Sequence, residues 1–559
     1  MLTTVAALLI ATTMVIVNAQ DDANTTAPAS RIRHWYSYPP SGNRIIPSDY
    51  HGSFPDKVDQ FDVQLPSDVK WIIATYQEDI GAQFLATTAE NKAYLIQEAK
   101  EDASTAEPEV IELDYTAKLR SDQPPLVRTG VSTYPEIVQL PISSRISPLS
   151  HPVPVNDGTT GGDANRTQQL YVYIDTSGDK LGPHSFGDVV LVQSDEGDNG
   201  EIFAELDRVQ GINAMADGRI IVVPESSHPP SFTSTLLAVY GGSTTYGHCV
   251  LGDCVESSRL VLIRAANQKL MVEKDIPLPN DDVFEGICPM ALPNGEGILT
   301  TVANDNNGAW LQTYNLDGNV LSKGPYIGWG WRHMLFYNDF GTAGKPHRSV
   351  VDVLTPHVRK ILEFFNISQP MMALQTQTSQ YTTHGIGSRI LDTAISGDFN
   401  GDCINEAVVL DSAMTSIKSV QLVASSVNNA NEEMEAAEMW SLPLPGRLTS
   451  NLAAVGLEDG SGIALAAASG GRLRFWLPMV PRHASSANAT ITNSNECSVG
   501  IGGDANTSIG SSDAHAQKGR GEEEGTETAT TNSAPSGKGG RRRFLEASLL
   551  LLMTMTHAT

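Results

Sequence analysis

The chain has 559 residues, of which 40% are hydrophobic, and its formal net charge is −27 at pH 7. This length allows a large core or several domains. The charge argues against nucleic acid as a partner, because phosphate binding requires a basic surface, and it is compatible with bound cations.

Residues 1–19 have the features of a secretory signal peptide. The apolar run is short and ends in small residues at positions −3 and −1, which predicts cleavage after Ala19. The alternative, a membrane-spanning helix, would need a longer run and a basic flank. We therefore predict an extracellular protein, either secreted or anchored to the outer cell surface. Residues 20–60, rich in Pro and Ser, are predicted to form an irregular lead-in.

Residues 61–482 contain a repeated pattern of short strands. Each unit has a strand of small residues, an acidic or Gly turn, a second apolar strand, a polar loop and a third strand, as in LDTAISGDFNGDCINEAVVLDSAMTSIKSVQLV. The first turns of six units hold Asp79, Asp217, Asn294, Asp339, Asp398 and Asp459. The interval from Asp79 to Asp217 is about twice the later ones, so it is expected to hold one more unit.

Roughly seven units of three or four strands predict an all-β fold, namely a β-propeller of about seven blades followed by a disordered C-terminal stalk. A three- or four-stranded sheet cannot bury both of its faces alone, but stacking on its neighbours buries them. The alternative fold, a pair of β-sandwiches, would need longer strands with alternating polarity.

The run GDFNGDCINEAVVL places oxygen-bearing side chains in a tight loop directly before an apolar strand. We call residues 398–406 the acidic loop. Its candidate ligands for Ca²⁺ are Asp398, Asn400, Asp402, the carbonyl of Ile404 and Glu406. Hard oxygen ligands at positions 1, 3, 5, 7 and 9 of a loop suit Ca²⁺, and several adjacent carboxylates repel one another without a cation. The alternative is a solvated turn without metal.

This loop resembles the Asp-rich core of FG-GAP/VCBS repeats, whose pattern is D-x-[DN]-x-D-G-x-x-[DE] followed by an apolar strand. The runs WRHMLFY, VVDVLTPHVRKILEFF and HGIGSRILDTAISGDFNGD extend the similarity to bacterial proteins with such repeats over about 280–425. The resemblance implies a secreted, integrin-α-like propeller that binds Ca²⁺ between the first two strands of a blade, but it implies no reaction. Cys403 stands where the pattern has Gly, and the other turns keep less of the pattern, so one Ca²⁺ site is expected.

Several His, Arg, Trp and acidic residues are predicted to lie on the face of the propeller opposite the acidic loop. The blade assignment places them where inner strands begin or where second strands end. The candidate ligand-binding residues are Trp331, Arg332, His333, His357, His384 and Arg389. Glu225, His228, Asn304 and Asp305 are predicted to lie in equivalent loops. Such a ring suits an anionic or sugar ligand, because Arg donates paired hydrogen bonds to carboxylates.

The cysteines and glycosylation sequons agree with an oxidising compartment. Cys249 and Cys254 flank VLGD and are predicted to form a disulfide, whereas the pairing of Cys288, Cys403 and Cys497 is left open. The candidate glycan acceptors are Asn24, Asn165, Asn366, Asn488 and Asn506.

The C-terminal part of the chain has a different composition. Residues 483–543, rich in Ser, Thr, Asn and Gly, are predicted to be a low-complexity stalk that does not fold. Residues 544–559 form a weakly hydrophobic tail. With the small residues at Asn532 and the polar spacer after them, this tail suggests a GPI-attachment signal, the alternative being a frayed terminus.

The sequence indicates a recognition protein more than an enzyme. It contains no nucleophile elbow, zinc-protease motif, P-loop or dinucleotide fingerprint. The first hypothesis is a Ca²⁺-binding propeller that binds glycan or protein ligands, for example in adhesion. The second is a propeller enzyme, a lyase or hydrolase, acting on extracellular polysaccharide, and the third is a structural component of the cell surface. Membrane contact is expected only through the lipid anchor.

Overall fold

The computed structural model describes residues 35–36, 42, 44–77, 80–97, 108–113, 126–128, 136–138, 152–155, 169–175, 186–197, 200–215, 218–225, 234–247, 254–286, 288–342, 345–368, 370–388, 390–425, 433–457 and 460–479. In these ranges the regular structure is β-strand, apart from one 3₁₀ turn at Pro293–Gly295. No helix in this part of the chain is both long and apolar enough to cross a bilayer.

The strands form a seven-bladed β-propeller within the described residues, as the repeat pattern predicts. From the innermost strand outwards, the blades are as follows: blade 1, Val69–Gln77, Gly81–Thr88, Ala93–Gln97 and Glu109–Leu113; blade 2, Val153–Val155, Gln169–Asp175, Phe186–Gly197 and Gly200–Met215; blade 3, Ile221–Val223, Ser234–Thr245, Val255–Ala266 and Lys269–Pro277; blade 4, Met290–Ala291, Ile298–Asn304, Gly308–Tyr314 and Val320–Lys323; blade 5, Arg332–Asp339, Arg348–Leu354, Ile361–Asn366 and Ala373–Ser379; blade 6, Tyr381–Thr382 with Ile395–Gly397, then Glu406–Asp411, Ser416–Ala424 and Met434–Pro443; blade 7, Ala453–Leu457, Gly462–Ser469, Arg472–Pro478 and Val58–Gln64.

Additional strand pairing connects three of the blades. Blades 2, 3 and 4 belong to one hydrogen-bonded sheet, because Ala214 pairs with Gly241 and Ser257 pairs with Phe284 of the short strand Val283–Phe284. A separate three-stranded sheet contains Trp35–Tyr36, Leu126–Arg128 and Glu136–Val138.

The hydrophobic core lies between neighbouring blades. Phe84 of blade 1 meets Phe475 of blade 7 with ring centroids 5.1 Å apart, and Tyr240 of blade 3 stacks on Phe284 at 4.8 Å. Separate clusters of buried apolar side chains fill the spaces between blades 2 and 3, 3 and 4, 4 and 5, 5 and 6, 6 and 7, and 7 and 1. Each sheet buries both of its faces against adjacent sheets, and this explains why the strands are almost continuously apolar in the sequence.

The N-terminal strand closes the ring. Val58–Gln64 pairs antiparallel with Arg472–Pro478 as the outermost strand of blade 7, so the first and last strands of the propeller share one sheet. Phe61 stacks on Phe475 with centroids 5.2 Å apart. Arg474 donates to both carboxylate oxygens of Asp62, at 2.6 and 2.7 Å. This strand begins before residue 61, where the sequence placed the start of the propeller.

Residues 44–57 of the lead-in form no regular strand, but two isolated bridges attach them to blade 6. Ile45 and His51 form parallel bridges with Ser396 and Asp398. The other edge of the inner strand of blade 6 is already paired with Glu406–Asp411, so the lead-in lies on the channel side. A Cβ atom on Gly456 would lie 2.2 Å from the Tyr50 ring, so glycine there makes room for the lead-in.

Candidate functional site

A cavity open to solvent lies on the face where the inner strands begin, which we call the cavity face. Its empty volume is about 450 Å³, including space open to solvent. It is lined by the lead-in and by residues at the starts of blades 3 to 6. The lining side chains considered below belong to Arg44, Arg219, Glu285, Trp331, His333 and Asp392. The acidic loop follows an inner strand and therefore lies on the opposite face.

One carboxylate and two guanidinium groups connect elements around the cavity. Arg219 Nη1 and Nη2 donate to Asp392 Oδ1 and Oδ2, both at 2.7 Å, and Arg44 Nη1 donates to Asp392 Oδ1 at 2.5 Å. Burial raises the pKa of Asp392, but the Arg219 and Arg44 cations outweigh burial and hold this pKa below its ordinary value. These three groups together carry excess positive charge.

Glu285 does not offset that charge. It lines the cavity and is only 1% exposed. Burial raises the pKa of its carboxyl group well above the ordinary value, which favours the neutral acid. The wall of the cavity therefore presents cations more strongly than anions.

Four of the predicted ligand-binding residues form one aromatic cluster. Trp331 stacks on His333 with ring centroids 5.3 Å apart, and His384 meets the edges of both rings at 5.3 and 5.4 Å. His357 lies 4.6 Å from His384. These side chains come from the start of blade 5, its turn between the second and third strands, and the connection into blade 6. These four rings are therefore in contact with one another on the cavity face.

Burial keeps the imidazoles of this cluster neutral. Thr383 Oγ1 lies 2.7 Å from His333 Nδ1 and 2.8 Å from His384 Nδ1, so one hydroxyl group serves both rings. Burial lowers the pKa of His384 to about 3 and lowers that of His333 well below its ordinary value. Burial, followed by the cations of Lys360 and Arg447, also lowers the pKa of His357.

The indole N–H of Trp331 is a donor without an acceptor in the described part of the chain. Trp331 is 5% exposed and lines the cavity, and its Nε1 atom is buried and makes no hydrogen bond there. A buried donor of this kind costs free energy unless an acceptor reaches it. Trp331 therefore has an unmet hydrogen-bonding requirement beside the cavity.

Arg332 has a different role from the one that the sequence suggested. Its guanidinium donates to Asp352 at 2.8 Å and to Glu363, and it lies 5.1 Å from the centroid of the Phe365 ring. Arg332 and both carboxylates are buried. This side chain links the first three strands of blade 5 and is already occupied by two acids, so it is a poor candidate for holding a ligand.

The remaining residues predicted for this face do not line the cavity or lie outside the described residues. The prediction for Glu225 is wrong, because it follows the inner strand Ile221–Val223 and so lies on the face of the acidic loop, where it accepts hydrogen bonds from Arg264. Asn304 donates to Asp282 at 2.7 Å. Asp305 lies against Gly247. Arg389 and His228 are among the residues that the structure does not describe.

The acidic loop is organised by hydrogen bonds around Asp398. Its carboxylate accepts backbone N–H groups of Gly401, Asp402 and Cys403 at 2.8 to 3.1 Å and lies 2.6 Å from His51 Nδ1. Cys403 has a φ of +69°, so it adopts the left-handed conformation for which the repeat pattern uses glycine. The departure from the pattern is tolerated in the backbone.

The five predicted Ca²⁺ ligands are only partly assembled. Gln421 Nε2 lies 3.0 Å from Asp402 Oδ2 and 3.3 Å from the Ile404 carbonyl, and Asn400 Nδ2 lies 3.0 Å from Asp402 Oδ2. These contacts bring Asn400, Asp402 and Ile404 together. The carboxylates of Asp398, Asp402 and Glu406 do not all lie within 4.8 Å of one another, whereas ligand atoms of His51, Asp398 and Cys403 do. Cys403 is disulfide-bonded and is therefore not a thiolate ligand.

Glu406 ends the acidic loop, but its side chain lies in the core rather than beside the other predicted ligands. Its Oε2 accepts the Phe399 N–H at 2.6 Å and its Oε1 accepts the Trp440 indole N–H at 3.1 Å. Burial raises the pKa of Glu406 to about 8. The oxygen donors of Asp398, Asn400, Asp402 and Ile404 fit Ca²⁺ chemically, but Glu406 in this position is a poor fifth ligand.

The structure bears on some of the predicted cysteine and glycan sites. Cys254 and Cys403 are each half of a disulfide, and Cys288 keeps its thiol, which donates to the Pro289 carbonyl at 2.9 Å. Asn366 is exposed at the end of its strand. The other predicted positions lie outside the described residues, and these are Cys249, Asn24, Asn165, Asn488, Asn506 and Asn532.

Sequence reasoning missed three of the charged residues that line the cavity, Arg44, Arg219 and Asp392. Arg44 belongs to a segment assigned as irregular, and Arg219 and Asp392 were not singled out. One signal was available, because Arg219 and Asp392 each stand just before the small apolar inner strand of a blade. Their pairing across 173 positions has no signature in one sequence.

Comparisons with known proteins add little to this description. The chain matches no protein-family model and no curated protein. Among solved structures it is similar to Raptor of Chaetomium thermophilum, with a TM-score of 0.37 and 9% identity over 77% of this chain and 29% of that one. It is similar to Hsv2 of Kluyveromyces lactis with a TM-score of 0.33 and 8% identity over 68% of this chain and 100% of that one. For the Cps50 (Swd1) β-propeller domain of Myceliophteria thermophila, the TM-score is 0.35 and the identity 8%, over 74% of this chain and 99% of that one. The fold therefore rests on the seven blades themselves, and the FG-GAP/VCBS resemblance stays a prediction.

Proposed function

We propose that this protein is an extracellular β-propeller that binds a carboxylate-bearing ligand, a glycan or a protein, at the cavity on its cavity face. The observation that carries the proposal is the buried Trp331 N–H, which lacks an acceptor in the described residues and lines a cavity that also presents Arg44 and Arg219. A carboxylate supplies the missing acceptor and a charge of the right sign.

Binding is favoured over catalysis by the state of the imidazoles. An effective general base has a pKa near the working pH, whereas the pKa of His384 is lowered to about 3 and that of His333 lies well below its ordinary value. Arg332, which a lyase would need to steady a developing anion, is held by Asp352 and Glu363. Among the candidate residues, His333, His384 and Arg332 are therefore poorly suited to the reaction of a polysaccharide enzyme.

Calcium binding and secretion are further parts of the proposal. Asp398, Asn400, Asp402 and the Ile404 carbonyl would hold one Ca²⁺ on the face opposite the cavity, where the ion would fix the loop that follows the inner strand of blade 6. The disulfides of Cys254 and Cys403 support an oxidising compartment, in agreement with the signal peptide predicted from the sequence. The GPI anchor is likewise proposed from the sequence alone.

The test is a glycan-array binding measurement with the purified full-length protein, run in Ca²⁺ and again in EDTA. We expect binding to glycans with uronate groups, and a loss of affinity of about ten- to 150-fold in Trp331→Phe, because a hydrogen bond to a charged group contributes about 1.5–3 kcal/mol. Phenylalanine preserves the stacking on His333 and removes only the donor.

Trp476→Phe is the matched control. Trp476 is also buried with a buried indole Nε1 atom, but it packs between blades 6 and 7, away from the cavity. The proposal is overturned if the folded protein binds no acidic glycan and no simple carboxylate, or if both Trp variants lose the same affinity.

A further inference from the structure

The loops beside the aromatic cluster expose large apolar side chains. Trp329 precedes the start of blade 5, Val358 follows His357, and Ile386 follows His384. Their side chains are 62%, 70% and 85% exposed. All three lie on the cavity face, where the chain turns between blades 4, 5 and 6. Exposed apolar groups that cluster in this way mark interaction surfaces more often than isolated ones do.

The loop of Val358 and the connection between blades 6 and 7 carry cations. Arg359 and Arg447 are exposed and Lys360 is half-buried. No ion pair joins any of these three side chains to an acid within the described ranges, although Arg208, Arg264 and Arg474 elsewhere all have carboxylate partners. Lys360 Nζ donates only to the Ser412 carbonyl. For a chain with a net charge of −27, this local excess of positive charge is distinctive.

These groups are continuous with the cavity wall. A Cβ atom on Gly385 would lie 2.6 Å from Arg447 Nη2, so this guanidinium rests against the loop that carries Ile386. Lys360 and Arg447 both act electrostatically on His357, whose ring lies 4.6 Å from His384. The carboxylate of Asp411 in a neighbouring turn is occupied by the N–H groups of Thr415 and Ser416. We name the surface formed by Trp329, Val358, Arg359, Lys360, Ile386 and Arg447 the basic-apolar rim.

We propose that the basic-apolar rim is the docking surface for an acidic, partly apolar segment of a partner protein. Charge complementarity selects an acidic partner, because three cations on the rim have no carboxylate partner in the described chain. The exposed Val358, Ile386 and Trp329 select a polypeptide, because a polyanionic glycan has no aliphatic side chains with which to cover them. This inference deepens the proposed function, since a carboxylate at one end of the docked segment can enter the cavity.

The experiment measures binding of fluorescent synthetic peptides to the full-length protein by anisotropy. The probe is a twelve-residue peptide that alternates Glu with Leu and Phe. Two companion peptides replace all Glu by Lys or all Leu and Phe by Ser. We expect only the acidic, apolar peptide to bind, and expect Arg359→Glu with Arg447→Glu to weaken it at least tenfold. Val358→Ser with Ile386→Ser should weaken it as well.

The controls separate this proposal from the function of the cavity. Arg472→Glu with Arg348→Glu makes the same change of charge at exposed arginines of blades 7 and 5 away from the rim and should leave the peptide affinity unchanged. The rim variants should retain binding of glucuronate, which reports on the cavity. The inference is overturned if the lysine peptide binds as tightly as the acidic one or if the serine peptide binds as tightly as the apolar one. It is also overturned if none of the three peptides binds to protein that still binds glucuronate.

Discussion

Arg219 and Asp392 meet through two parallel hydrogen bonds of 2.7 Å, although 173 positions separate them in the chain. Arg219 stands before the inner strand of blade 3, and Asp392 stands before that of blade 6. In a ring of seven blades these strands lie on nearly opposite sides of the channel. The pair therefore spans the channel below its mouth, and Arg44 of the lead-in completes it.

Removing the acid of this group should cost more than removing one of its bases. Asp392→Asn leaves Arg219 and Arg44 without their shared anion, whereas Arg219→Met leaves Asp392 paired with Arg44. We expect Asp392→Asn to lower the free energy of unfolding by about 3–5 kcal/mol, as for other broken buried pairs, and Arg219→Met to lower it less. Urea denaturation measures both.

Arg474→Met provides the reference for that comparison. Its pair with Asp62 lies on the outside of blade 7, and surface pairs of this kind contribute about 0–1 kcal/mol. If Asp392→Asn and Arg474→Met lower the free energy of unfolding equally, the pair in the channel contributes no more to stability than a surface pair.

The neutral state of His384 should make the protein sensitive to acid. Burial lowers the pKa of His384 from 6.5 to about 3. Between these values the unfolded chain binds a proton that the native chain does not, so the free energy of unfolding falls as the pH falls below about 6.5. His384→Asn keeps a polar atom near Thr383 and removes the titration. Its stability should therefore fall less between pH 6.5 and 4.5, by on the order of 2 kcal/mol at ~1.4 kcal/mol per pKa unit.

Thr383→Val is the control for this experiment. It removes the hydroxyl group next to both rings but leaves His384 buried, so it should be less stable at every pH while keeping the pH dependence of the wild type. Identical pH profiles for wild type and His384→Asn, measured by urea denaturation at several pH values, would count against the neutral buried imidazole.

The architecture was readable from the sequence because the blade is a repeated local unit. Small residues before an acidic turn, as in AISGD, mark the inner strands of blades 6 and 7. The unit predicted at 211–240 is wrong in its phase, because Gly200–Met215 is the outermost strand of blade 2 and Ile221–Val223 is the inner strand of blade 3. The sites were readable only in part. Trp331, His333, His357 and His384 can be grouped from the sequence because each stands near a strand end on one face. Arg332 also stands at the start of a strand, but its side chain points along the sheet to Asp352 and Glu363 of the next two strands. The position of a residue in a strand does not by itself predict this direction.

The lead-in could not be predicted for a different reason. Residues 44–57 acquire their structure from blade 6 and carry no periodic pattern of their own, and Val58–Gln64 is a strand only because Arg472–Pro478 offers a free edge more than 400 positions later. Contacts of this separation depend on closure of the ring. The same holds for Gln421, which reaches the acidic loop from the neighbouring strand.

Closure of the ring by the N-terminal strand predicts a measurable loss when its packing is removed. Phe61 is half-buried and stacks on Phe475, so Phe61→Ala should lower the free energy of unfolding by about 2 kcal/mol, less than the ~3–5 kcal/mol of a fully buried Phe. Phe61→Leu should lower the free energy of unfolding by less than half as much as Phe61→Ala. A chain that begins at residue 65 should lose cooperative unfolding, whereas one that begins at residue 42 should retain it. Cooperative unfolding of the shorter chain would show that blade 7 needs no fourth strand.

Calcium binding to the acidic loop predicts a stability that depends on the ion. A ligand at 100 times its dissociation constant raises the free energy of unfolding by about 2.7 kcal/mol, so thermal unfolding in millimolar Ca²⁺ should occur at a higher temperature than in EDTA. Asp402→Ala should abolish the difference, because Asp402 meets Asn400 and Gln421 in the loop. Asp411→Ala changes another acidic turn of blade 6 and should preserve the difference in unfolding temperature between Ca²⁺ and EDTA. If the wild type unfolds at one temperature in Ca²⁺ and EDTA, the loop is held by its hydrogen bonds to Asp398 alone, and the acidic residues serve the turn rather than a cation.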